Sequence, residues 1–114
     1  MSECLFCKIA AGEIPTKIVF EDDKALAFED INPEAPTHVL IIPKKHIPTL
    51  LDIAEEDQEL IGYLHMVANK IAADRSLTEE GFRLVTNCKE GAGQEIFHVH
   101  IHMLGGRKFG WPPG

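Results

Sequence analysis

The rhythm of apolar and polar positions changes several times along the chain, and each rhythm predicts an element. Leu5, Phe6 and Ile9 lie at near-helical spacing between Cys4 and Ala11, and Gly12 offers a stop, so a short N-terminal helix is expected. Ile14-Pro15 breaks that pattern, because the residue before a proline is pushed to extended geometry. Residues 17–21 and 25–29 are β-prone runs flanking Asp22-Asp23-Lys24, which has the length of a hairpin turn. The stretch 30–37 reads as a loop through Pro33 and Pro36, and it delivers the chain to a continuously apolar run, residues 38–43. Such a run suits a central strand buried on both faces, with Pro43 tolerated only at its end.

Between Glu55 and Arg75, Leu60, Ile61, Leu64, Val67, Ala68, Ile71 and Ala72 form one helical stripe, the signature of a long amphipathic helix. Glu55, Glu56 and Asp57 complement its positive end, and Lys70 and Arg75 lie toward the other. Residues 82–88 alternate as a strand, and the glycine-bearing stretch 89–94 loops back into a last alternating segment, residues 95–106. There His98, His100 and His102 fall on one side of a strand and Val99, Ile101 and Met103 on the other. The expected class is α+β: a five-stranded, mainly antiparallel sheet with one short N-terminal helix and one long helix.

Composition changes this picture little. A chain of 114 residues, 45% apolar and 25% charged, supports one domain over residues 1–114 with one core. Its net charge of −7 and the lack of any basic run longer than Lys44-Lys45 argue against polymeric nucleic acid as partner. A small phosphorylated ligand stays compatible, since backbone N–H groups and a few directed side chains can hold one phosphate. With no charged-then-apolar leader and no bilayer-length apolar run, the expected location is cytoplasmic, without membrane contact. Three cysteines in a reducing compartment leave metal binding or core packing rather than a disulfide framework.

The candidate chemistry is concentrated in the histidine segment. Three titratable rings in a row on a sheet face can be a solvated edge or an adventitious metal patch. Solvated strands more often carry Thr, Lys and Glu, and Gly91, Gly93, Gly105 and Gly106 flank this one as if backbone approached a ligand. His65, on the long helix, reads as structural or surface, and Cys88 as core.

The run 98–104, His-φ-His-φ-His-φ-φ with φ apolar, resembles the histidine triad family. Ala35-Pro36-Thr37-His38, Ile42-Pro43-Lys44-Lys45-His46, Asn87, Gly93-Gln94, Leu104-Gly105-Gly106-Arg107 and Trp111-Pro112-Pro113-Gly114 extend the match to the Hint branch, the purine nucleoside phosphoramidases. The resemblance implies hydrolysis of a nucleoside 5′-monophosphate joined through phosphorus to an amine. His100 would be the nucleophile, passing through a nucleotidyl-histidine. His102 would donate to a phosphate oxygen or to the leaving amine, while His38 and His98 orient the row. Asn87, Gly93 and Gln94 would supply donors to phosphate and ribose. Asp30 would accept from the ribose hydroxyls, and Leu5, Phe6, Ile9, Phe28 and Ile31 would line the base cleft. For these five apolar residues, ordinary core packing explains the pattern equally well.

At Glu95 the chain departs from relatives that have a serine near the leaving group. Its carboxylate would repel phosphate if ionised or act as a proton donor if its pKa were raised; the plain alternative is a solvated glutamate. Dinucleoside polyphosphate hydrolysis, or a zinc-stabilised nucleotide-binding or scaffold protein with incidental catalysis, are the competing functions. The resemblance also implies a homodimer whose tail, residues 105–114, docks near the partner's active site; the bulky Trp111 in it needs a surface.

Cys4-Leu5-Phe6-Cys7 is half of a tetrahedral zinc site in spacing. Some histidine triad proteins bind zinc through such a pair and two histidines, by position His46 and His98 here, in a structural role. Otherwise the two cysteines are reduced thiols and His46 a surface residue.

Overall fold

The computed structural model describes residues 3–114. A short helix α1 (Leu5–Ala10) precedes a hairpin of β1 (Ile18–Glu21) and β2 (Ala25–Glu29), then β3 (Thr37–Pro43), the long helix α2 (Gln58–Asp74), β4 (Phe82–Val85) and β5 (Ile101–Gly105). The five strands form one sheet in the order β1-β2-β3-β5-β4, with every neighbouring pair antiparallel. The α+β class and both expected helices are therefore present. Among the described residues no helix is long and apolar enough to cross a membrane.

The hairpin closes because the Asp22 carboxylate accepts from the backbone N–H groups of Lys24 and Ala25, at 2.8 and 2.9 Å. Alternation then divides β2, β3 and β5 between two faces. Ala25, Ala27, Val39, Ile41, Ile101 and Met103 pack with Leu64, Val67, Ala68, Ile71 and Ala72 of α2 into one apolar core. Leu26, Phe28, Leu40 and Ile42 point the other way, beneath Phe6 and Ile9 of α1. His38 and His102, one strand apart, share the parity of this second face.

Several boundaries differ from the sequence expectation. Glu55–Asp57 forms a 3₁₀ turn ahead of α2, held by the Asp57 carboxylate, which accepts from the Ala54 N–H at 2.9 Å. Strand β4 ends at Val85, so Asn87 and Cys88 lie in the following loop. Strand β3 starts one residue early, at Thr37.

A further difference matters most. Only residues 101–105 of the histidine segment belong to a strand, and His98 and His100 precede it. With Ile41 opposite Ile101, continuing the ladder would set Val99 against Pro43, which has no N–H to give. The Val99 N–H instead donates to Ile47 O at 2.7 Å. The entry to β5 is thus tied to the segment after β3.

Beyond β5 the tail is tied back to the sheet. Arg83 donates to Gly110 O at 2.9 Å, Arg107 donates through Nε to Glu34 O at 3.0 Å, and the guanidinium of Arg107 sits 4.3 Å from the Phe109 ring centroid. Trp111 is 82% exposed.

Candidate active site

Three histidines meet over the second sheet face. His38 of β3 lies opposite Leu104, and His102 of β5 opposite Leu40, so the two rings are diagonal neighbours. His38 Nε2 and His102 Nδ1 are 3.0 Å apart. His100, just before β5, stacks edge-on to His102 with ring centroids 5.0 Å apart, and Phe6 closes over its other side at 5.0 Å. Phe6 is itself braced edge-on by Phe28.

Hydrogen-bond direction assigns the proton on each ring. The backbone N–H of Glu34 donates to His38 Nδ1 at 3.0 Å, so that nitrogen is an acceptor and the proton sits on Nε2. His38 Nε2–H then donates to His102 Nδ1, which leaves His102 with its proton on Nε2. His100 Nδ1 faces the carbonyl of His98 at 2.8 Å and must be the donor there. Its Nε2 therefore keeps a lone pair, with no hydrogen-bond partner among the described residues. One ring offers a nucleophile and the next a donor, which is what displacement at an anionic phosphorus needs.

Burial reinforces this pattern. His100 is only 7% exposed, and desolvation lowers its pKa, partly offset by the His98 carbonyl. His102 is lowered to about 4, by burial first and then by the nearby His100 and His38. Both rings are neutral near pH 7, as an attacking imidazole must be.

A cavity of about 410 Å³ opens over these rings. Its wall includes His38, His100 and His102 and, of the sequence candidates, Phe6, Asp30, Asn87, Gly93 and Glu95. Asp30 stands 3.4 Å from His38 Nε2.

The other candidates lie elsewhere. Ile9 and Phe28 are buried beneath Phe6, Leu5 is 41% exposed, and Ile31 is 87% exposed beside a separate hollow. Gln94 was expected to donate to phosphate or ribose. Its amide instead donates to Pro48 O and Ile96 O, and its carbonyl accepts from the Lys89 N–H, so both amide hydrogens are committed to holding the loop. His65 is exposed on α2, bonded to its own helix at Ile61 O.

Leu40 and Ile96 also line the cavity, as do Asn32 and Glu34. Leu40 was available from its parity with His38. The part played by Glu34 was not, because it acts through a backbone N–H that every non-proline residue possesses.

A second cluster adjoins the first. Sγ of Cys4 and of Cys7 and Nδ1 of His46 and of His98 all lie within 4.8 Å of one another, a set that could hold a metal ion. The closest pairs are Cys7 Sγ to His46 Nδ1 at 3.2 Å, His46 Nδ1 to His98 Nδ1 at 3.3 Å and Cys4 Sγ to His98 Nδ1 at 3.4 Å. His98 is fully buried and donates through Nε2 to Pro43 O at 2.8 Å, which turns the lone pair of Nδ1 toward the thiols. His98 therefore serves both clusters, its ring facing the cysteines and its carbonyl fixing His100.

Known proteins are similar to this chain in sequence and fold. A family model described as the HIT domain matches residues 11–109. The purine nucleoside phosphoramidase of Escherichia coli K12 is 47% identical over 108 residues, covering 95% of this chain and 91% of its own. An uncharacterised HIT-like protein of Synechocystis is 51% identical over 98% of this chain and 97% of its own. The crystal structure of a HIT family hydrolase from Legionella pneumophila superposes with a TM-score of 0.97 at 56% identity, over 98% of this chain and all of that one.

Proposed function

The chain belongs to the HIT family, and on that premise we propose that it hydrolyses purine nucleoside 5′-phosphoramidates to the nucleoside monophosphate and an amine. The observation that carries the reading is the fixed tautomer pair, a bare Nε2 on His100 beside a protonated Nε2 on His102. His100 Nε2 attacks phosphorus, the P–N bond breaks, and the nucleotidyl group is held on the ring while Nδ1–H stays on the His98 carbonyl. Water then opens the P–N bond to the histidine and regenerates it.

The amine must leave protonated. His102 faces it with Nε2–H, the proton that the bond from His38 Nε2 to His102 Nδ1 places there. His102 Nε2–H passes its proton to the amine nitrogen as the P–N bond breaks, and the attacking water returns one to the same nitrogen in the second step. His38 holds His102 in register, Asp30 accepts from the ribose, and Asn87 and the Gly93 backbone supply donors to the phosphate. Phe6, with Phe28 and Ile9 behind it, forms the apolar floor for the base.

The metal cluster is best read as one structural Zn²⁺ site. A tetrahedron with bonds of roughly 2.0–2.3 Å has edges of about 3.3–3.8 Å, close to the 3.2–3.4 Å ligand spacings given above, and thiolates with imidazoles suit that ion. When bound it supplies a cross-link between α1 and the catalytic segment, and His100 remains outside the coordination sphere. The working form is a cytoplasmic homodimer, with residues 105–114 carrying Trp111 to the partner. Light scattering should then report a dimer for the full chain and a weaker one after truncation before Trp111; a monomer in both cases removes the dimer.

The reaction is tested by comparing turnover of an adenosine phosphoramidate with that of diadenosine tetraphosphate. The phosphoramidate should be cleaved faster, and mass spectrometry of quenched reactions should find a nucleotidyl group on His100. Faster cleavage of the tetraphosphate, or an active protein that never carries the adduct, overturns the assignment.

A further inference from the structure

The end of β5 and the two residues after it grip the loop that precedes β3. Gly105 pairs with Thr37 in the ladder. Gly106, at φ +94°, lies so close to Pro36 that a Cβ on it would come within 2.8 Å of the proline Cβ. Arg107 then donates through Nε to Glu34 O at 3.0 Å. Its guanidinium is ordered for this by two further contacts. It donates through Nη1 to Lys108 O at 3.1 Å, and its Cζ lies 4.3 Å from the centroid of the Phe109 ring, which also meets Arg83 at 5.2 Å.

What this grip acts on is the proton of His38. The Glu34 N–H that makes His38 Nδ1 an acceptor belongs to the Pro33–Glu34 peptide, and the Glu34 O held by Arg107 belongs to the next one. The two rigid planes meet at one Cα and are related only by φ and ψ of Glu34, so anchoring one narrows the rotation of the other. Glu34 is exposed and outside any strand, and among the described residues its hydrogen bonds are these two. With the Glu34 N–H swung away, His38 would be free to move its proton to Nδ1. Its bare Nε2, 3.0 Å from His102 Nδ1, would then draw the proton of His102 onto Nδ1, and His102 Nε2 would lose the hydrogen that the reaction gives to the amine. Asp30, 3.4 Å from His38 Nε2, favours the native arrangement and keeps that inversion partial.

We propose that Arg107 is a positioning residue for the reaction: by holding Glu34 O it keeps the Glu34 N–H on His38 Nδ1, and so keeps the protons of His38 and His102 on Nε2. The role in turnover rests on the phosphoramidase reading, whereas the hold on the two tautomers does not. Arg107 is not part of the cavity wall, so its loss lowers kcat and leaves substrate affinity in place.

Three variants test it. Arg107→Met keeps the stem and removes the donor, Arg107→Lys restores a donor, and Arg83→Met cuts the bond to Gly110 O without touching residue 34. In substrate-free protein carrying isotope-labelled histidine, two-bond proton–nitrogen spectra report which ring nitrogen of His38 and of His102 bears hydrogen. Wild type, Arg107→Lys and Arg83→Met should show both protons on Nε2, and Arg107→Met a mixture. With the competent tautomer reduced to about a tenth to a third of molecules, kcat for an adenosine phosphoramidate should fall about three- to tenfold in Arg107→Met while KM changes less than about twofold. Wild-type tautomers in Arg107→Met, an equal loss of kcat in Arg83→Met, or a tautomer shift that leaves kcat at the wild-type value overturns the proposal. Shifted tautomers in Arg107→Met, when the wild type cleaves no phosphoramidate, would instead remove the phosphoramidase reading and keep the hold of Arg107 on His38.

Discussion

The two faces of one sheet make different use of the same strands. On the α2 face, Ala25, Ala27, Val39, Ile41, Ile101 and Met103 pack against Leu64, Val67 and Ile71 in a cluster of buried apolar side chains. On the opposite face the intervening residues include His38 and His102, covered only by a six-residue helix and by loops. The first face stabilises, and the second holds reactive groups desolvated but reachable. Because side chains alternate with period two, slipping one strand by a residue would exchange the faces and lose both.

This division can be broken most sharply by paired substitutions. His100→Ala should lower turnover on the order of a thousandfold or more, with denaturant unfolding still cooperative. Leu64→Ala should do the reverse, costing about 2–5 kcal/mol of stability through lost contacts and a cavity while kcat/KM per folded molecule stays near wild type. Comparable losses of activity in both variants would mean that the faces are not separable.

A smaller effect is expected at the junction of α1 with the catalytic segment. Stripping metal with a chelator, or Cys7→Ser, should lower the thermal midpoint by roughly 10 °C, read by scanning calorimetry alongside metal analysis. Leu64→Ala should retain its metal. A chelated protein that melts with the untreated one would remove the structural role of the cluster.

The smallest effect is a pH dependence confined to the histidine face. His102 is held at about 4 against an ordinary 6.5, so between these values the unfolded chain binds more protons than the native one. Its contribution to stability is full above pH 6.5, falls as pH drops toward 4 and changes no further below. Urea midpoints at pH 7.5 and pH 5 should differ less in His102→Gln than in the wild type, and as much in Leu64→Ala as in the wild type.

Much of this was legible in the sequence because it rests on periodicity. The long helix followed from its stripe, the hairpin from Asp22-Asp23-Lys24, and the parity of His100 and His102 from the alternation of residues 98–104. Where the expectation failed, the determinant was a backbone group or a long-range partner. The late start of β5 comes from Pro43, distant in sequence, and from Val99 pairing with Ile47. The turning of Gln94 into its own loop depends on Pro48 O, which no local pattern announces. Ile31 reads as apolar lining by type and yet is exposed, because the loop after β2 carries it past the edge of the cleft.

His98 has an awkward consequence for anyone who wishes to re-engineer this molecule. Its imidazole and its carbonyl belong to different circuits, one ending in sulfur and the other in the reactive ring. A side-chain replacement there perturbs both at once and cannot say which mattered. Separating them requires editing the main chain itself: replacing the 98–99 amide by an ester through chemical ligation would weaken the carbonyl as an acceptor and leave the imidazole intact, while also removing the Val99 N–H that donates to Ile47 O.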